Sequence, residues 1–161
     1  MTFTVAALSL VAFPASAATG GFPPPNTPFT IKTVLEDGKA RCVSRAENPR
    51  IMLMRFRPCD TNDKKQQFVQ RSVDARGYGI VWNVDGSCLV GKVIVSGALC
   101  KGLNPTNSSW KQASDGRVVN NGAKRLEYWG HVGSGDTATF SIGPLYEVAA
   151  KFDLLPLPSK N

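Results

Sequence analysis

From Phe29 to Ile142 the hydrophobic positions fall in short runs rich in Val, Ile, Thr and aromatic residues, broken every eight to twelve residues by Gly, Asn or Asp. The pattern predicts strands over Phe29–Leu35, Arg41–Ser44, Ile51–Arg57, Gln67–Arg71, Gly79–Val84 and Cys88–Val90. Further strands are predicted over Val93–Leu99, Ser109–Gln112, Arg117–Asn120, Arg125–Trp129, Thr137–Ile142 and Leu145–Val148. Only Tyr146–Phe152 also suits a short helix. So little helix argues against parallel βαβ folds, and the fold class expected is all-β.

The two ends have a different texture. Phe3–Ala17 is apolar or small and carries no charge, and Ala15-Ser16-Ala17 is the small-x-small pattern cut by signal peptidase. Residues 1–17 are therefore expected to be a signal peptide and the protein to be secreted and extracellular. The run is shorter than a spanning helix and is interrupted by Pro14, so no membrane span is expected. Residues 18–28 are rich in Pro and Gly and read as a solvated linker. The domain is expected over 29–150, with 151–161 an extended C-terminal tail. Leu154-Leu-Pro-Leu-Pro158 is apolar but proline-broken, which suits a segment lying along the domain better than a strand.

Aligning the turns brings out a weak repeat. Gly79-Ile-Val-Trp-Asn-Val-Asp-Gly-Ser-Cys-Leu89 matches Gly116-Arg-Val-Val-Asn-Asn-Gly-Ala-Lys-Arg-Leu126, each a strand, an Asp-Gly or Asn-Gly turn and a second strand. Phe29-Thr-Ile-Lys-Thr-Val-Leu-Glu-Asp-Gly-Lys-Ala-Arg-Cys-Val43 follows the same order more loosely. Each unit closes on an aromatic: Gln66-Gln67-Phe68, Ser108-Ser109-Trp110 and Ala138-Thr139-Phe140.

All four cysteines, Cys42, Cys59, Cys88 and Cys100, follow the leader, and an even count in an exported chain points to disulfides. Three connectivities exist. The local pairs Cys42–Cys59 and Cys88–Cys100 are favoured, because each closes a loop about as long as a hairpin with its turn. A zinc site is not expected, since no C-x-x-C pair exists and His131 is the single histidine. The formal charge is +7, and Lys39–Arg76 holds ten Lys or Arg against four acids. That surplus suits anionic partners, although a solvated surface that keeps the protein soluble is the simpler account and the one favoured.

The repeat resembles the ricin-B-type β-trefoil lectin family, whose units run strand, G-x-C-L-D, loop, an apolar strand ending in Cys, and a closing Q-x-W. Cys42-Val43-Ser44, Ile51-Met-Leu-Met-Arg-Phe-Arg-Pro-Cys59 and Gln66-Gln67-Phe68 carry it in the first unit, and Cys88-Leu89-Val90 with Trp110 in the second. The resemblance implies a β-trefoil of three four-stranded repeats and a carbohydrate-binding, non-catalytic function directed at glycans or a glycosylated cell surface. In such lectins the Asp of C-L-D is the sugar's carboxylate acceptor. At that position this chain aligns Ser44, Val90 and Glu127.

Sugar binding needs a carboxylate, an aromatic face and a nearby amide or His. Glu127, Trp129, His131 and Asp136 fall within ten residues and form the expected third-unit site, while Ser44, Asn48, Asn62 and Gln66 offer polar groups in the first. The alternative for the third unit is a core Trp129 with Glu127 and Asp136 as solvated turn residues. The proline-rich lead and proline-broken tail also resemble the binding subunits of cytolethal distending toxins. That likeness implies a protein-interaction module with a partner subunit. Kunitz-type trefoil inhibitors share the fold, but no reactive loop is identifiable.

Catalysis and cofactors are not expected. His131 stands alone, which leaves no acid and base pair of the kind small basic ribonucleases use, and the cysteines are accounted for as disulfides. Asp60-Thr-Asn62-Asp63 departs from a calcium loop at Lys65 and Arg71. Asn107-Ser108-Ser109 is an N-glycosylation sequon in a eukaryotic secretory route. Nucleic acid is not expected as a partner, because Met52, Met54 and Phe56 share one side of a strand that belongs to the core rather than to a stacking surface.

Overall fold

The computed structural model describes residues 21–46, 54–91, 93–95, 100–103, 108–121, 127–143 and 150–158. Within them the protein is all-β, with twelve strands in one hydrogen-bonded sheet and two single-turn 3-10 segments, Lys64–Gln66 and Gly135–Thr137. The strands are β1 (Phe29–Val34), β2 (Ala40–Arg45), β3 (Met54–Arg57), β4 (Phe68–Arg71), β5 (Gly79–Asn83), β6 (Cys88–Val90), β7 (Val93–Val95), β8 (Ser109–Gln112), β9 (Val118–Asn120), β10 (Tyr128–Val132), β11 (Thr139–Gly143) and β12 (Asp153–Pro156). Leu145–Val148 lies outside the described residues, as do Ile51–Leu53, Ser96–Leu99 and Arg125–Leu126.

The two-residue period of the sequence sets which side chains enter the core. In β3, Met54 and Phe56 are buried while Arg55 and Arg57 face solvent. In β5, Gly79, Val81 and Asn83 point inward, and Ile80 and Trp82 are half-buried on the outer face.

One turn recurs four times. Leu35, Asp74, Asn83 and Ala113 each donate their backbone N–H to the carbonyl four residues on, at 2.8–3.1 Å. In each, a glycine at the fourth position (Gly38, Gly77, Gly86, Gly116) has φ between 73° and 94° and donates back to the first residue. In all four only the glycine, and not the Asp or Arg before it, is left-handed, so these are type I turns finished by a glycine bulge rather than two-residue hairpin turns. Asp37, Asp85 and Asp115 add a side-chain bond to the backbone N–H two residues on.

Six strands pair around a ring: β12 with β1, β1 with β4, β4 with β5, β5 with β8, and β8 with β9. An isolated bridge between Arg117 and Lys151, with the Phe152 N–H donating to the Gly116 carbonyl at 2.9 Å, links β9 back to the entry of β12. The hairpins β2–β3, β6–β7 and β10–β11 extend from this ring.

Inside the ring Trp110 and Trp129 are fully buried with ring centroids 5.5 Å apart, and Trp129 also meets Phe140 at 5.4 Å and Phe152 at 5.8 Å. Burying one large aromatic of this kind contributes on the order of 3 kcal/mol. Two buried glutamines tie successive strands together. The Gln70 side-chain amide donates to the Trp110 carbonyl at 2.9 Å, and that of Gln112 to the Phe152 carbonyl at 2.6 Å.

The structure departs from the sequence pattern at three places. Phe140, read as the third closing aromatic, sits in the hairpin strand β11. Phe152, at the mouth of β12, receives the Gln112 bond as Trp110 receives that of Gln70. Leu154-Leu-Pro-Leu-Pro158, read as a non-strand tail, supplies β12, in register with β1 from Lys32↔Asp153 to Phe29↔Pro156. Pro156 falls at the end of that strand, where a missing N–H is tolerated. Residues 21–28, read as a solvated linker, lie against the domain. Phe22 contacts Phe29 at 5.6 Å and Trp129 at 6.0 Å, and the Asn26 N–H donates to the Gln70 carbonyl at 3.0 Å.

The two local disulfides are formed, Cys42–Cys59 across the β2–β3 hairpin and Cys88–Cys100 beyond the β6–β7 hairpin. No helix among the described residues is long and apolar enough to cross a membrane.

Candidate functional site

The residues expected to form the third-unit site are placed apart. Glu127 is exposed just before β10, where its carboxylate accepts from the Asn120 side-chain amide at 3.1 Å and its N–H donates to Asn120 Oδ1 at 3.2 Å. Trp129 is wholly inside the core and has no face for a ligand. His131, half-buried further along β10, lies edge-on to Phe56 at 6.1 Å. Four residues of strand separate Glu127 from His131 by about 13 Å. Asp136 belongs to the 3-10 turn Gly135–Thr137, and its side chain lies outside the described residues.

Strand register also gives an equivalence different from the sequence alignment. The backbone closures Leu35 to Lys39, Asn83 to Ser87 and Asn120 to Glu127 occupy the same place in their hairpins. Three residues on from Lys39, Ser87 and Glu127 stand Cys42, Val90 and Gly130. None of these three register-equivalent positions holds a carboxylate. Ser44 slips from that position because Cys42 stands two residues later in its strand than Cys88, and Glu127 slips because its turn closes over seven residues rather than four.

In the first unit the candidates divide by burial. Ser44 is buried, and its hydroxyl donates to the Arg45 carbonyl at 3.3 Å. Gln66 is buried and braces its own loop, donating to the Pro58 carbonyl and accepting from the Asp60 N–H, both at 3.0 Å. Asn62 is exposed in the turn that follows, where its backbone N–H is fixed by Asp60 Oδ1 at 2.8 Å. Asn48 and Asn107 lie outside the described residues.

Asn62 opens onto a groove of about 660 Å³ that also takes in Asn26, Thr27, Pro28, Thr61, Gln67, Leu157 and Pro158. Three chain segments meet to make it. The Thr27 N–H donates to the Pro24 carbonyl at 3.0 Å, closing a turn that holds Asn26 at φ 66°. The Leu157 N–H donates to the Pro28 carbonyl at 2.8 Å, which fixes the C-terminal wall, and the Gln67 amide donates to the Thr61 carbonyl at 2.7 Å, which fixes the third. The lining therefore combines side-chain amides and hydroxyls with an apolar edge of proline and leucine. Only Asn62 of this set is legible in the sequence as a candidate. Thr61 and Gln67 flank Asn62 in its own loop, and the remainder come from two segments read as linker and tail, which meet because β1 and β12 pair.

Among the described residues no group of three or more His, Cys, Asp or Glu is arranged to hold a metal ion. No known protein family matches the sequence, and no curated protein matches it either.

Proposed function

We propose that this chain is a secreted β-trefoil of the ricin-B type that binds neutral glycans without catalysis, through the groove lined by Asn26, Asn62 and Gln67. The observation that carries the reading is the make-up of that groove. An amide donates and accepts at once, as a sugar hydroxyl does, and a proline and leucine edge suits the apolar face of a pyranose ring. The six-strand ring, the three hairpins and the Gln70 and Gln112 bonds support the trefoil with three four-stranded repeats. In this reading the repeats close on Phe68, Trp110 and Phe152. The ligand-binding role has moved from the carboxylate position of the lectins to the crevice between the two termini. Export is supported by the two disulfides, which form in oxidising compartments.

Glycan-array binding at two salt concentrations tests this. A sugar-inhibitable signal that survives physiological salt is expected. Asn62 makes no side-chain bond that holds the fold among the described residues, so Asn62→Ala should weaken binding roughly threefold to tenfold with the melting temperature unchanged. Glu127→Gln should leave it intact. An array without any sugar-inhibitable signal, together with a stoichiometric protein partner that occupies the groove, would instead establish the partner-docking alternative.

A further inference from the structure

The wall formed by β4, β5, β8 and β9 presents a second feature, away from the groove. Gly79 pairs with Trp110 and Ile80 with Ser109, which sets Tyr78 beside Lys111 on the outer face. The Lys111 ammonium lies 5.8 Å from the Tyr78 ring centre, and the Arg76 guanidinium 5.4 Å from the same ring. On the neighbouring strands Arg71 sits 5.3 Å over Trp82, and Arg117 sits 6.0 Å over Tyr128. Each outer aromatic thus carries a cation.

The carboxylates of this wall are already engaged. Asp74 is paired with Arg76 and Asp115 with Arg117. Glu127, beside β10, is held by Asn120. Arg71 and Lys111 are exposed and have no ion-pair partner among the described residues. Strand spacing puts them on the order of 10 Å apart on one face.

We propose that this wall is a separate binding site for a polyanionic glycan, with Arg71 and Lys111 meeting its sulfate or carboxylate groups. Single-stranded nucleic acid suits the wall less well, because base stacking needs open ring faces and Tyr78, Trp82 and Tyr128 are covered by their own cations. An acidic protein suits it less well too. A protein interface needs buried apolar anchors, and of the exposed large hydrophobics among the described residues, Val34, Val73, Val132 and Leu155, only Val73 adjoins these strands. The disulfides fit an extracytoplasmic setting, where charged polysaccharides are the abundant polyanions.

The test titrates the full chain with heparin, with neutral dextran and with a twenty-nucleotide poly(dT), at low and at physiological salt. Heparin is expected to bind most tightly and to weaken as salt rises. Replacing both Arg71→Gln and Lys111→Gln should raise its Kd about tenfold, the sum of two exposed charge contacts. The pair Arg55→Gln and Arg57→Gln removes the same charge from β3 and should change the Kd less than about twofold. Equal losses from the two pairs would reduce the effect to net charge and overturn the site. So would poly(dT) binding as tight as heparin, or no heparin binding at all. Asn62→Ala must leave heparin affinity unchanged, so failure of the groove and failure of the wall are read separately.

Discussion

Asp115 closes its own turn twice. Its Oδ1 accepts from the Arg117 backbone N–H at 3.1 Å and its Oδ2 from the Arg117 guanidinium, with the Nε contact at 2.6 Å. The Arg117 side chain, followed by its backbone N–H, holds the Asp115 carboxyl below its ordinary 3.8. Asp74 is held low in the same sense, chiefly by the Tyr78 backbone N–H. A carboxylate whose folded value is depressed stabilises the protein above the unfolded value, and that contribution is lost as pH falls through the folded value. The raised value of Arg117 has no part in this acid window, because the guanidinium is charged throughout it. Both aspartates are solvent-screened surface groups, so the effect is small. Asp115→Asn should therefore flatten the fall in melting temperature between pH 6 and pH 2 relative to the native chain, as followed by circular dichroism. Identical acid slopes would mean that the pairing carries no linkage.

At the level of elements, the interior strands were readable because a two-residue period and Gly-containing turns are local signals. Most predicted strand centres are strands. The third closing aromatic was not readable, since Phe140 and Phe152 are both buried aromatics near the end of the repeat. What separates them is the hydrogen bond from Gln112, a contact between positions forty residues apart. The terminal segments failed for a related reason. Proline content suggests solvated chain, but Phe22 packs half-buried and Leu154 buried on a surface that exists only after β1 has formed. The groove inherits this illegibility, as two of its three walls are those same segments. The docked N-terminal arm has a direct consequence for stability. Phe22→Ala should lower the unfolding free energy by about 2 kcal/mol, the value of a partly buried aromatic, with a lower urea midpoint and unchanged slope. An unaltered midpoint would make residues 21–28 a free linker after all.

For the molecule as a whole, the ring and its hairpins are held by different means. Strands β1, β4, β5, β8, β9 and β12 share the aromatic core around Trp110 and Trp129, with the buried glutamines as cross-ties. The β2–β3 hairpin is cross-linked by Cys42–Cys59, and the chain leaving β6–β7 is tied back by Cys88–Cys100, at sequence separations of 17 and 12. In the chain-entropy account each bridge stabilises the fold by about 3 kcal/mol. The β10–β11 hairpin has no bridge and relies on packing, with Trp129 and Phe140 both turned into the core. Reduction should therefore act unevenly. With both disulfides reduced, amide exchange is expected to accelerate first in β2–β3 and β6–β7, while β10–β11 and the ring strands keep their protection until global unfolding. If β10–β11 lost protection together with the two cross-linked hairpins, the disulfides would be supporting the whole cooperative unit, and the aromatic core alone would not suffice to hold the ring closed.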